Sequence, residues 1–196
     1  MRRVIIFILL ILIVGGCSAV ESSLEPSKYN KIDKSIKIRS LDDAIRANDL
    51  ESADEIYLNM VENSKGDLHS LTPAMLKLAK AHMKNREYLL ANFYLDQYIK
   101  NEGKDIDLAY YLKAKAIFKK AYEEQSGELE LNRAIDALKE IKKGFAEGDY
   151  GDDIDNMIAR LKAKRDNYFE QVAKFYERMG KNKAAEFYFK KIDSSN

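Results

Sequence analysis

Apolar residues recur along this chain with helical spacing. Met75, Leu78, Ala79 and His82 form one stripe, and Tyr88, Ala91, Leu95 and Ile99 a second. Ile154, Met157, Ile158 and Leu161, then Phe169, Val172, Ala173 and Tyr176, form two more. Such i, i+3, i+4, i+7 series place apolar groups on one helical face and leave the opposite face to water. Gly66, Gly103, Gly127, the cluster Gly144, Gly148 and Gly151, and Gly180 divide the chain into helical blocks. Proline occurs only at Pro26 and Pro73, so residues 74–196 contain none, as expected of serial helices rather than sheets and turns. Ser40-Leu41-Asp42-Asp43 predicts a capped helix start. Thr72-Pro73 predicts a hydroxyl cap ahead of a proline whose missing N–H costs nothing there.

The N-terminus follows a different pattern. Arg2-Arg3 precedes an unbroken apolar run from Val4 to Val14. Eleven helical residues rise only about 16 Å, against roughly 30 Å of bilayer hydrocarbon, so the run suits the core of a cleaved signal peptide, residues 1–16. Val14-Gly15-Gly16-Cys17 resembles the bacterial lipobox, in which small residues fit the peptidase and the cysteine receives the lipid. Cys17 is then the lipidated mature N-terminus; an uncleaved signal anchor, or cleavage near Ala19, is the rival reading. By resemblance to enteric lipoproteins, Ser18 implies passage to the outer membrane. Residues 17–34, with Ser22, Ser23, Pro26 and Ser27, lack an apolar period and read as a flexible tether reaching about 20 Å. Residues 35–196 form the folded domain.

Within that domain a motif recurs: a large or polar residue, an alanine three positions on, then a large apolar residue four beyond it. Leu50/Ala53/Tyr57, Tyr88/Ala91/Leu95, Leu131/Ala134/Leu138 and Asn182/Ala185/Phe189 are its instances. Leu41, Ala79 and Ala173 stand twelve residues before three of the alanines. The pattern resembles the tetratricopeptide repeat, a helix hairpin whose second helix uses alanine so that the first can approach closely. It predicts an all-α solenoid of about four hairpins. One hairpin cannot bury its stripe alone, whereas stacked hairpins share a continuous core. Alanine spacings of 38, 43 and 51 require longer helices or loops in the later hairpins, with residues 123–132 as the expected insertion.

Charge and chemistry narrow the functions. The sequence holds 33 basic and 32 acidic residues, and removing Arg2 and Arg3 leaves 31 against 32. No single-sign field points to nucleic acid, and the basic run Arg160–Arg165 reads as a solvated helix face. Once acylated, the lone cysteine leaves no thiol for a disulfide or a metal, and no cofactor is implied beyond that covalent lipid. His69 and His82 lie outside any dense ligand arrangement, and His82 falls on an apolar stripe as a hydrogen-bonded core residue. The acids of residues 149–155 miss the EF-hand offsets and fit the N-terminus of a helix. Nucleophile-elbow, Walker and dinucleotide motifs are lacking, so nothing supports an enzyme.

Ala81-His82-Met83-Lys84-Asn85-Arg86-Glu87-Tyr88-Leu89-Leu90-Ala91 with Leu95-Asp96-Gln97-Tyr98-Ile99 is similar to the BamD family of outer-membrane assembly lipoproteins. Asp107 to Ala114 resembles that family's acidic-aromatic stretch, and Arg160 through Tyr176 its long fourth-repeat helix. The order of lipobox, tether and repeats agrees over residues 17 to about 192. The resemblance implies a non-enzymatic subunit of the β-barrel assembly machinery, lipid-anchored on the periplasmic face of the outer membrane. It would dock on the polypeptide-transport-associated (POTRA) domains of the barrel-forming subunit and receive unfolded outer-membrane proteins. The family's fifth hairpin has no counterpart before Asn196, which implies a smaller or different contact with that subunit. Helical-repeat scaffolds of pilus or secretin assembly, or of envelope constriction, are the alternative, and an envelope enzyme using an unrecognised carboxylate pair is a rival of another class.

In the repeat register, the first helices direct Ile38, Ile45, Leu76, Lys80, Met83, Tyr111, Lys115 and Phe118 toward a partner-binding groove. Its aliphatic, aromatic and lysine groups would suit an extended chain ending in an aromatic residue. The competing expectation for these residues is ordinary packing between repeats.

Overall fold

The computed structural model describes residues 34–144 and 149–193, without the side chains of 34–39, 149 and 193. The expected signal peptide, Cys17 and the tether up to residue 33 lie outside the described residues. Among these residues every regular element is helical. In chain order they are α1 (Lys34–Arg46), α2 (Leu50–Asn63), a 3-10 turn (His69–Leu71), α3 (Thr72–Lys84), α4 (Tyr88–Lys100), α5 (Ile106–Glu123), α6 (Glu128–Lys142), α7 (Asp149–Arg178) and α8 (Asn182–Asp193). Consecutive helices pair into four hairpins, α1/α2, α3/α4, α5/α6 and α7/α8. The hairpins are joined where α2 meets α3, α4 meets α5 and α6 meets α7, and where α1 and α5 meet α3 and α7 respectively. The fold is an all-α, tetratricopeptide-like array.

Compact residues set how closely the helices approach. Ala53, Ala91, Ala134 and Ala185 are all buried, as are their partners Leu41, Ala79 and Ala173. A methyl side chain brings neighbouring backbones together and loses no rotamer freedom on burial. Around these alanines, Leu78, Met75, Leu95 and Tyr94 fill the core of the first two hairpins. Leu131, Ile135, Leu138, Ile154 and Leu161 fill that of the last two.

Three hairpins share one turn. Asn48, Arg86 and Gly180, each two residues before the second helix, have left-handed backbones with φ of 59°, 65° and 70°. The next residue's N–H reaches back to the final turn of the first helix: Asp49 to the Ala44 carbonyl, Glu87 to His82 and Lys181 to Tyr176, at 2.9–3.0 Å. This left-handed closure satisfies helix-end carbonyls that would otherwise lack a donor. The third hairpin ends differently. Glu124 is extended, and Lys164, arriving from α7, donates to the carbonyls of Ala121, Tyr122 and Glu124 at 2.8, 2.7 and 2.7 Å. One ammonium from the next hairpin thus replaces the missing local cap.

Glycine is required by close approach at Gly103. A Cβ built there would lie 2.2–2.5 Å from the Tyr98 ring. The ring is buried, and its hydroxyl accepts the Asp105 N–H at 2.9 Å, fixing the entry to α5. Gly103→Ala must displace either the ring or the turn, and is expected to cost about 1–3 kcal/mol in urea denaturation. Unchanged stability would show that the tyrosine moves aside freely.

Two expected helix starts are corrected. Ser40 lies inside α1, which begins at Lys34, because the stripe Ile38, Leu41, Ile45 runs through it without a break. Thr72 does not cap α3; its hydroxyl donates to the His69 carbonyl at 2.8 Å within the preceding 3-10 turn, while Pro73 occupies the first turn as expected. Lengthening of the later repeats comes mainly from helices. α5 and α7 have 18 and 30 residues, against 13 in α3, and only residues 124–127 separate α5 from α6.

Candidate partner-binding groove

Tyr111, Lys115, Phe118 and Tyr122 follow one another at four, three and four residues on α5, so they share a face. Asp153, Asn156, Met157 and Arg160 do the same on α7. Where the two helices pack, these stripes line a groove of about 410 Å³, with Lys119 and Glu123 at its rim. At one end the Tyr111 ring stacks on Tyr150, with centroids 4.4 Å apart and planes within 9°. The Tyr111 hydroxyl donates to Asp153 Oδ2 at 2.9 Å. Burial, and then this carboxylate, push the Tyr111 pKa above the usual phenol value. The Lys115 ammonium lies 5.9 Å from the same ring centroid. At the other end Phe118 and Tyr122 stack at 5.1 Å, and the Arg160 guanidinium covers both, 4.8 and 4.4 Å from their centroids. Aromatic faces attract cations, and a guanidinium carries several N–H donors.

Glu123 closes the rim and ties hairpin two to hairpin three. It accepts from the Tyr88 hydroxyl, from Arg86 Nε at 3.0 Å and from Lys119 at 3.3 Å. These donors, Tyr88 foremost, hold its carboxyl down at about 2. A carboxyl depressed in the folded state contributes stability above its unfolded pKa and loses it as pH falls through the folded one. The contribution is therefore complete above roughly pH 5 and lost between about pH 4.5 and 2. Glu123→Gln is expected to flatten the urea midpoint across that interval relative to the parent protein; parallel curves would contradict the assignment.

The expected groove residues divide into two sets. Tyr111, Lys115 and Phe118 come together as described. Ile45 and Leu76 pack against the core of the first two hairpins, Met83 packs against Tyr88, Ala91 and Ala116, and Lys80 is exposed. Ile38 lies on α1, with its side chain outside the described residues. Phe118 is only 7% exposed, so it serves as floor rather than as a protruding contact.

The basic run of α7 is corrected from a solvated face. Besides the roles of Arg160 and Lys164, Arg165 is largely buried, donating to Asn132 at 3.2 Å and Asp166 at 3.3 Å. The rest of the lining, Tyr122, Asp153, Asn156 and Arg160 among it, lies outside the set that the sequence points to. The i, i+4 pairs Phe118/Tyr122 and Asn156/Arg160 were visible in the sequence, but the facing of α5 and α7 was not.

His82 is a core residue, 1% exposed. Its Nδ1 faces Glu87 Oε2 at 2.6 Å, its Nε2 faces Asp54 Oδ1 at 3.0 Å, and its ring stacks on Tyr94 at 5.4 Å. The Tyr94 hydroxyl donates to the same Asp54 oxygen at 2.7 Å. The two carboxylates lie on opposite sides of the ring, an arrangement that orients helices rather than converging on a ligand.

The family described as outer membrane lipoprotein, YfiO, matches residues 25–191, most of the chain. The chain belongs to this family. A curated relative is the outer membrane protein assembly factor BamD of Helicobacter pylori (strain ATCC 700392 / 26695). It is 29% identical over 197 residues, covering 98% of this chain and 88% of the relative. Among solved structures, two crystal structures of MamA align with TM-scores of 0.39 and 0.35, at 22% and 21% identity. They cover 82% and 79% of this chain and 90% and 93% of their own. The outer membrane lipoprotein family is non-enzymatic.

Proposed function

We propose that this protein is a lipid-anchored scaffold of the machinery that assembles and inserts outer-membrane β-barrel proteins. The observation that carries the reading is the similarity to the H. pylori assembly factor over nearly the whole of both chains. In this reading Cys17 carries the lipid, and the helical array stands on the periplasmic face of the outer membrane. It docks on the POTRA domains of the barrel-forming subunit, and unfolded barrel proteins pass through the groove between α5 and α7. The array supports this role physically: stacked hairpins offer a long rigid face, and the groove combines aromatic floors with cations suited to an extended chain.

Depleting the protein and quantifying the outer-membrane proteome tests the reading. Broad loss of β-barrel proteins is the expected result, whereas loss confined to pili or to one secretin would replace it with the assembly of those structures. The groove is tested with Tyr111→Ala combined with Lys115→Ala, which removes the aromatic and cationic contacts while leaving the Phe118 floor in place. Affinity for a labelled, unfolded barrel protein should fall about tenfold, equivalent to about 1.4 kcal/mol. Unchanged affinity in the folded variant would place reception of substrate elsewhere.

A further inference from the structure

The groove does not end at Arg160. Beyond it two more hollows, of about 460 and 420 Å³, continue along α7 past Ala163 and Asn167 to Gln171. The first shares Tyr122 and Arg160 with the groove already described, and the two share Lys164 and Asn167. From Asn156 to Gln171 the α7 axis advances about 22 Å, the length of six or seven extended residues.

Charges along this path are not evenly balanced. Glu123 is occupied by Tyr88, Arg86 and Lys119, and Asp153 by the Tyr111 hydroxyl. Lys164 is committed to the carbonyls at the end of α5. Two groove cations have no carboxylate partner among the described residues: Lys115, a single ammonium 5.9 Å from the Tyr111 centroid, and Arg160, a planar fork of N–H donors. The Arg160 guanidinium carbon lies 4.8 and 4.4 Å from the ring centroids of Phe118 and Tyr122. A fixed fork of N–H groups fits a carboxylate bidentately. On either side stand exposed amides. Asn156 has no hydrogen-bond partner among the described residues, and Asn167 is engaged only through its oxygen, by Gln171 at 3.4 Å. An amide side chain both donates and accepts, which is what an unpaired peptide backbone requires.

We infer that this groove takes an extended polypeptide segment bearing an acidic side chain, whose carboxylate docks on the Arg160 guanidinium while Asn156 and Asn167 hydrogen-bond the segment's backbone. The acid is internal to the segment, because the groove is open on both sides of Arg160, whereas a chain terminus would need only one side. Backbone contacts make the site tolerant of sequence, and the Arg160 guanidinium sets its preference. The inference rests on the groove's reading as a polypeptide site and adds the chemistry that selects the segment.

Fluorescence anisotropy with the whole folded protein decides it. Three labelled ten-residue peptides of otherwise identical Ser/Thr/Tyr sequence serve as probes: one with central Glu and an amidated end, one with central Gln and an amidated end, and one with central Gln and a free carboxyl terminus. The Glu peptide should bind about tenfold tighter than either Gln peptide. Arg160→Gln, shown by circular dichroism to be folded, should abolish that difference, and Arg160→Lys should retain part of it. Asn156→Ala with Asn167→Ala should weaken all three peptides alike. Equal binding of the Glu and Gln peptides, a preference for the free terminus, or a Glu preference that survives Arg160→Gln would each overturn the inference. A parallel titration with an unfolded barrel protein separates the two readings. Binding that is indifferent to Arg160 removes the acidic contact but keeps the polypeptide site, whereas no binding of any probe removes both.

Discussion

Replacing Ala91 with leucine is expected to lower stability by about 1–3 kcal/mol, although the substitution adds apolar surface to an apolar site. Ala91 has no exposed surface and sits among Tyr88, Ala116 and Met83, where α3, α4 and α5 meet. Ala116 faces it with no exposure of its own, so three more carbon atoms can be accommodated only by moving α4 away from α5. That displacement also strains the Tyr88–Glu123 hydrogen bond across the same junction. Urea denaturation of the variant should show a lower midpoint with the slope retained, the sign of a strained native state rather than an altered unfolded one. The same change at exposed Lys183, on the final helix, should leave the midpoint within about 0.5 kcal/mol of the parent. Equal effects at the two positions would mean that alanine stands at Ala91 for helix propensity alone.

This contrast also explains why the fold was legible. An alanine that recurs with a large residue four positions on marks where two rods must touch, and a helix period marks which face it lies on, so four hairpins are countable from the sequence alone. Boundaries were less legible. Ser40 has the residue type of a cap, but a continuous apolar stripe outweighs one hydroxyl, and α1 extends through it. Thr72 has a nearer acceptor in the preceding turn.

The groove was half legible, for a physical reason. Tyr111, Lys115 and Phe118 lie on one helix, and their shared face follows from local geometry. Arg160 lies about forty residues later, and its position over Phe118 depends on how α7 is seated against α5, which no local period records. For the same reason the run Arg160–Arg165 read as solvated. Lys164 and Arg165 are drawn inward by the carbonyls at the end of α5 and by Asn132, groups that arrive from another hairpin. Long cationic side chains can pack their stems against apolar surface and still reach such acceptors.

The largest expected loss comes from the polar centre between the first two hairpins. His82→Ala should cost about 3 kcal/mol, more than a surface ion pair would contribute, because it combines a cavity with the loss of hydrogen bonds inside the core. The ring spans Asp54 of α2 and Glu87 at the entry to α4, and it stacks on Tyr94, whose own ring meets Tyr57 edge-on at 5.2 Å. Through this one side chain, α2, α3 and α4 share a single set of contacts. Asp54 is the second linchpin, since it receives the Tyr94 hydroxyl while facing His82. If these groups act as a unit, the costs of His82→Ala and Asp54→Ala will not add, because whichever is removed first already disables part of what the other holds. The double variant should be more stable than the sum of the single losses predicts by about 1 kcal/mol or more. Strict additivity in urea denaturation would reduce the centre to two separate contacts, and the junction of the first two hairpins would then rest on apolar packing of Tyr57, Tyr94 and Leu78 alone.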